Sequence, residues 1–272
     1  MERLRRYGSP PWRVALVHGG PGARGEMAPL AARLKSHWGV LEPLQTAKSV
    51  DGQVEELRGV LEAEGDCPVA LVGFSWGAWL SFILAARYPQ LARSLILIGS
   101  APFEEKYAAG ILETRLGRLS REEAREAEFI MESLNDDRSM DLEKDLSLCR
   151  LGQIFSSSDT CDPLPSDAET NGMIDCSGDI FAGVWKEAAK LRQTGDLLRL
   201  GKRIRCPTLA IHGDYDPHPA KGVRQPLSAT LEDFRFVLLN SCGHRPWMER
   251  QARDEFYRVL KEELNETFRD GV

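Results

Sequence analysis

A hydroxyl, an imidazole and a carboxylate held together can cleave an ester or an amide, and this chain offers each where a strand should give way to a turn. Ser75 stands in Val72-Gly-Phe-Ser-Trp-Gly77, an apolar run leading straight into the pattern G-x-S-x-G. A serine at a sharp strand-to-helix turn is lifted clear of the backbone, and glycines on either side keep Cβ atoms out of the bend. The pattern is short enough to arise by chance, so its surroundings decide. Upstream, Pro68 to Val72 is an apolar run of strand length. Downstream, Trp79, Leu80, Ile83, Leu84 and Arg87 recur at helical spacing until Pro89, which cannot continue a helix.

A serine hydroxyl is a weak nucleophile at neutral pH and needs a base within hydrogen-bond reach, itself oriented by a carboxylate. Five histidines compete for the base: His18, His37, His212, His218 and His244. His244 is selected because it follows Gly243 in a loop after the last strand-like run and precedes a terminal helix. His18 belongs to a glycine loop and His212 to a strand end, where structural hydrogen bonding suffices, and His37 beside Trp38 reads as a helix-end residue. For the acid, Asp214 and Asp216 both qualify by position, since both follow the run Thr208 to Ile211. Negative charge develops on the carbonyl oxygen during attack, so two backbone N–H donors must point at it. Trp76, just after the serine, supplies one; the loop His18-Gly-Gly-Pro-Gly22 supplies the other, assigned to Gly20. That loop is not a phosphate loop, because no G-K-[ST] follows it.

The chain that must position these groups has 272 residues and a net charge of −6. That is enough to bury a large core, and without a long basic run neither nucleic acid nor an anionic membrane is the expected partner. No apolar run is long enough to span a bilayer, and the charged amino terminus lacks the apolar region of a secretion signal, so a cytoplasmic location is expected. Six cysteines lack the C-x-x-C spacing of a zinc site; Cys161 and Cys176 could close a loop disulfide, which a reducing compartment disfavours.

Strand-like runs at Val14–Val17, Val40–Leu44, Pro68–Val72, Ser94–Ile98, Thr208–Ile211 and Phe234–Leu239 alternate with helical patterns. This is the signature of an α/β fold with a mostly parallel sheet, here of about six strands, and helices on both faces. The beat breaks after Phe103, where roughly a hundred residues separate two strands, far more than a crossover needs. Residues 1–102 and 202–272 are therefore read as the core, and 103–201 as a mainly helical lid. Within the lid, Ser120-Arg-Glu-Glu123 is a capping box opening a helix to about Leu134, Val184 to Leu191 marks another helix, and Ser156 to Gly178 reads as a mobile loop. Residues 103–200 carry 21 acidic and 12 basic side chains. They present either solvated helix faces or carboxylates that attract a cationic substrate.

Taken together, the chain resembles the α/β-hydrolase superfamily, and His18-Gly-Gly-Pro-Gly22 is similar to the oxyanion loop of its prolyl iminopeptidase branch. The resemblance covers nearly the whole chain and implies the order Ser, Asp, His. It maps the acid of G-x-x-D onto Gly213 and Asp216, thereby choosing Asp216 over Asp214, and the base of G-H onto Gly243 and His244. Phe74 and Gly243-His-Arg-Pro-Trp247 depart from the iminopeptidase pattern, and the amino-terminal hairpin common in the superfamily is expected to be absent or vestigial. In that branch lid carboxylates hold the substrate's free imino group; Glu104, Glu105, Glu128 and Glu132 are the candidates here. Trp247 and Glu249, with Trp76 and Trp79, are candidates for an apolar acyl pocket.

The expected activity is a serine hydrolase acting on a small-molecule or short-peptide ester or amide through an acyl-enzyme, with Ser75, Asp216 and His244 as triad and no cofactor or metal required. An aminopeptidase, a carboxylesterase and a carbon–carbon bond hydrolase all fit that site. A non-catalytic ligand receptor on the same fold is the reading from another class.

Overall fold

In a computed structural model, residues 3–134, 141–164 and 177–269 are described. Seven strands form one sheet: β1 (Leu4–Tyr7), β2 (Trp12–Val17), β3 (Gly39–Pro43), β4 (Val69–Phe74), β5 (Ala92–Ile98), β6 (Thr208–Gly213) and β7 (Phe234–Leu239). Their spatial order is β1-β3-β2-β4-β5-β6-β7, and all neighbours are parallel except β1 against β3. The sheet thus has one strand more than the six expected. The addition is β1, Leu-Arg-Arg-Tyr, whose charges suit an exposed edge and hide it from any search for apolar runs. It stands where the amino-terminal hairpin was expected to be absent or vestigial, anchored by Tyr7 Oη donating to Glu42 Oε2 at 2.7 Å.

The interior strands are largely apolar because both sheet faces are covered; every residue of β4 and of β6 is buried. Before the fourth strand come α1 (Ala28–Leu34) and α2 (Val50–Glu64), and after it α3 (Trp76–Arg87). Between β5 and β6 lie α4 (Ile111–Arg118), α5 (Arg121–Leu134), α6 (Asp141–Ser158), α7 (Gly178–Gln193) and α8 (Asp196–Leu200). The set closes with α9 (Lys221–Thr230) and α10 (Arg253–Phe268). Residues Trp76 to Ala86 of α3 are all buried, as a helix apolar all round must be. Each Leu or Phe it buries contributes about 1.5–3 kcal/mol of transfer free energy, so the helix carrying the elbow is among the least movable parts of the fold.

The long excursion between β5 and β6 packs in two ways. Ala127 and Ile130 of α5 meet Leu151 and Ile154 of α6 in a small cluster of their own, whereas Ile180, Val184, Ala188 and Leu197 from α7 and α8 join the main core around α2 and α3. The capping box forms as expected: Ser120 Oγ accepts from Glu123 N–H at 3.2 Å, while Ser120 N–H donates to Glu123 Oε2 at 3.1 Å. The expected loop from Ser156 to Gly178 differs. Ser156–Ser158 complete α6 and Asp159–Leu164 are tied to the core; residues 165–176 lie outside the described residues. Cys161 is a free thiol, so the disfavoured Cys161–Cys176 bridge does not form, and Cys149 is disulfide-bonded. Among the described residues no helix is long and apolar enough to cross a membrane.

Candidate active site

Ser75 closes the turn between β4 and α3 with φ at 52°, a region that a residue bearing a Cβ enters only at a cost of order 1–3 kcal/mol. The flanking glycines explain how the bend fits. A Cβ on Gly73 would strike the carbonyl oxygen of Gly77, and one on Gly77 would strike those of Val17 and His18. The turn is held by Ser75 N–H donating to Ile98 O at 2.9 Å.

Across from it, His244 Nε2 lies 3.1 Å from Ser75 Oγ, and His244 Nδ1 lies 2.8 Å from Asp216 Oδ2. An ionised carboxylate only accepts, so His244 Nδ1 carries the proton and Nε2 is left with the lone pair that can take the serine hydroxyl's proton. Asp214 faces elsewhere: its Oδ1 accepts from Cys242 N–H at 3.1 Å, bracing the turn that leads to His244. The choice between the two aspartates, open by position, is thus made in space.

Asp216 is surrounded by imidazoles. His218 N–H and Nδ1 reach Oδ1 at 2.9 and 2.8 Å, the His218 ring lies 4.7 Å from that of His244, and His212 Nε2 stands 3.6 Å from Oδ2. Burial alone would raise the Asp216 carboxyl, but His244, His218 and His212 outweigh it and hold it well below the ordinary range. Burial pushes the His218 imidazole down to about 4, against the upward pull of Asp216. Asp216, His218 and His244 have ligand types and spacing that could hold a cation. A cation there would have to displace the protons of two hydrogen bonds, so hydrogen bonding is the use that the geometry supports.

These shifts set the acid behaviour of the fold. An imidazole in the unfolded chain takes up a proton near 6.5, whereas folded His218 refuses one until about 4. Stability should therefore be level above pH 6.5 and decline by up to about 3 kcal/mol as pH falls toward 4. Below that, Asp216 acts in the same sense, since its unfolded carboxyl protonates first. Urea unfolding at pH 7.5, 6 and 4.5 checks this; equal stability at all three would contradict it.

The remaining candidates take the following places. Trp76 is the first residue of α3, so its N–H has no acceptor within the helix. Gly20 adopts φ of 32° in a loop that runs beside the elbow, and its carbonyl accepts from Ala23 N–H at 2.8 Å. His18 is buried with Nδ1 2.9 Å from Gly19 O, and burial lowers its pKa. His37 packs on Trp38 and meets Ser36 at an exposed site, as a helix-end residue does. Trp247 lies behind the elbow, edge-on to Phe74 at 4.8 Å and against Phe256, while Phe74 packs on His244. Trp79 is buried and stacks on Trp185 of α7.

Glu104 pairs with Lys106 and Glu105 with Arg192, while Glu128 and Glu132 are solvent-exposed. Glu249 is fully buried, and its carboxylate accepts backbone N–H from Gly243, Cys161 and Asp162 at 2.8–3.0 Å. With His244 N–H donating to Asp159 O at 2.7 Å, it staples the end of α6 to the histidine loop. From α4, Arg115 grips Asp159 bidentately at 2.6 and 2.8 Å, and Arg118 donates to Ser158 O and Tyr215 O. The position of His218 on Asp216 had one signal in the chain: it is a histidine two residues past the acid, close enough to fold back onto it.

A family model described as alpha/beta hydrolase fold matches residues 43–251. This chain belongs to the alpha/beta hydrolase fold family. Within the alpha/beta hydrolases it is similar to a pimeloyl-[acyl-carrier protein] methyl ester esterase of Neisseria meningitidis serogroup B, 23% identical over 282 residues, 96% of this chain and 98% of that protein. Among solved structures it resembles a thermophilic esterase from Thermogutta terrifontis at a TM-score of 0.62 and 17% identity, over 97% of this chain and 93% of the other. It also resembles a meta-cleavage product hydrolase from Pseudomonas fluorescens IP01 at 0.61 and 20%, over 97% and 93%. The structural likenesses bear on the alpha/beta hydrolase fold alone.

Proposed function

We propose that the protein is a serine esterase that hydrolyses small carboxylic esters through an acyl-enzyme. The observation that carries this reading is the continuous chain from Ser75 Oγ through His244 to Asp216, at 3.1 and 2.8 Å. Ser75 Oγ attacks the ester carbonyl while its proton passes to His244 Nε2, and the carbonyl oxygen, now an anion, is met by N–H groups of Trp76 and Gly20. His244 returns the proton to the departing alcohol, then draws one from water, whose oxygen attacks the acyl-serine; as the acyl–Oγ bond breaks and the acid leaves, His244 gives that proton back to Ser75 Oγ. Asp216 stabilises the imidazolium in both halves.

An ester is favoured over an aminoacyl amide on two grounds. Glu104 and Glu105, which would have received a free imino group, are neutralised by Lys106 and Arg192. The full-length relative is named an ester hydrolase. The second reading, an iminopeptidase-like aminopeptidase, is favoured by the His18-Gly-Gly-Pro-Gly22 loop and the acidity of residues 103–200. Short and long p-nitrophenyl esters assayed beside prolyl and alanyl arylamides separate the two: turnover of esters alone is expected. Faster turnover of the prolyl arylamide than of any ester would reject the esterase, and no turnover of either class would favour a ligand receptor.

A further inference from the structure

We propose that His218 is a positioning residue of this site, a second imidazole that holds Asp216 Oδ1 so that Oδ2 stays aimed at His244. The inference rests on reading Ser75, His244 and Asp216 as the hydrolytic set. It starts from the occupancy of one carboxylate. Oδ2 receives His244 Nδ1 at 2.8 Å, and Oδ1 receives both the backbone N–H and the ring Nδ1 of His218. A backbone donor by itself leaves the carboxylate free to rock about its last torsion; the ring donor adds a second fixed point. That ring cannot swing away, being buried against His244 and held by its carbonyl, which accepts from His212 Nε2 at 2.7 Å.

The charges facing His218 are few. Asp216 and His244 lie on its ring side, His212 reaches its carbonyl from β6, and Arg115 approaches from α4 with its charge met by Asp159. A buried imidazole that stays neutral down to about pH 4 donates to Asp216 throughout the working range without adding a positive charge beside His244. By sharing the carboxylate, it takes up part of the negative charge that Asp216 would otherwise turn wholly on His244.

Removing the donor should therefore act twice. In His218→Phe the acidic limb of kcat/KM should move up by about one pH unit as Asp216 turns its full charge on His244. Its kcat should fall by up to about a hundredfold as the carboxylate loses its aim. In His218→Asn, whose side-chain amide can donate from nearly the place of Nδ1, limb and kcat should return close to wild type. A lowered kcat with an unmoved limb, or an asparagine variant no better than the phenylalanine one, would overturn the proposal. An independent measurement needs no variant: 15N-histidine spectra of the folded wild type should show His218 as the Nδ1–H tautomer from pH 5 to 9. An Nε2–H tautomer overturns the proposal whatever the activity, whereas a wild type that turned over no ester would sink only the parent reading.

Discussion

Ser75→Ala is expected to lose about 10^6-fold in kcat on p-nitrophenyl esters, close to the whole contribution of a serine, histidine and aspartate acting as a unit. Only Oγ can make the acyl bond, and His244 Nε2, 3.1 Å away, then has no hydroxyl to deprotonate. The same variant should escape labelling by a fluorophosphonate probe that marks the wild type. Because φ of 52° is unfavourable for any residue with a Cβ, and the elbow is held by backbone bonds and glycine clearances, the variant should melt at or near the wild-type temperature. A folded alanine variant that keeps its ester turnover, or takes the probe, would remove Ser75 from the reaction.

Asp216→Asn should cost about 10^4-fold in kcat, whereas Asp214→Asn should stay within a few-fold of wild type. An asparagine at 216 turns an amide donor toward His244 Nδ1, so the imidazole must carry its proton on Nε2, where it can no longer accept one from Ser75. At 214 the oxygen that accepts from Cys242 N–H survives the change, and the turn below His244 keeps its brace. Steady-state kinetics of the two variants, with melting temperatures to confirm folding, decide the matter; the reverse ranking would hand the acid's role to Asp214.

How much was legible in the chain varied with how local the signal was. Six of the seven strands were visible as short apolar runs, and for the central ones the cause is that a strand covered on both faces is largely apolar, as Val69–Phe74 is. The strand Leu4–Tyr7 was not, since an edge strand is defined by its backbone pairing with Gly39–Pro43 and needs no apolar side chains. The helix after Ser120 announced itself through a capping box whose partners are three residues apart. Ser156–Leu164, in contrast, read as a free loop, because what ties it down is Glu249, more than eighty residues away. Trp247 followed the same rule: a tryptophan just after the base suggested a pocket wall, yet its neighbours Phe74 and Phe256 make it part of the packing behind the elbow.

The chain alone determined the order of chemistry-bearing residues and their settings: a serine between glycines after an apolar run, two aspartates and a histidine after later ones, and a glycine loop near the start. Those are properties of short segments, and local backbone physics enforces them wherever the segments lie. Only the tertiary structure brought the Asp216 carboxylate onto His244, let His218 share it, and set Glu105 against Arg192. Each of these depends on side-chain direction across a gap of a few ångströms, and at Asp216 and His218 burial makes that direction count, because a buried charge or donor must find its partner or forfeit its solvation.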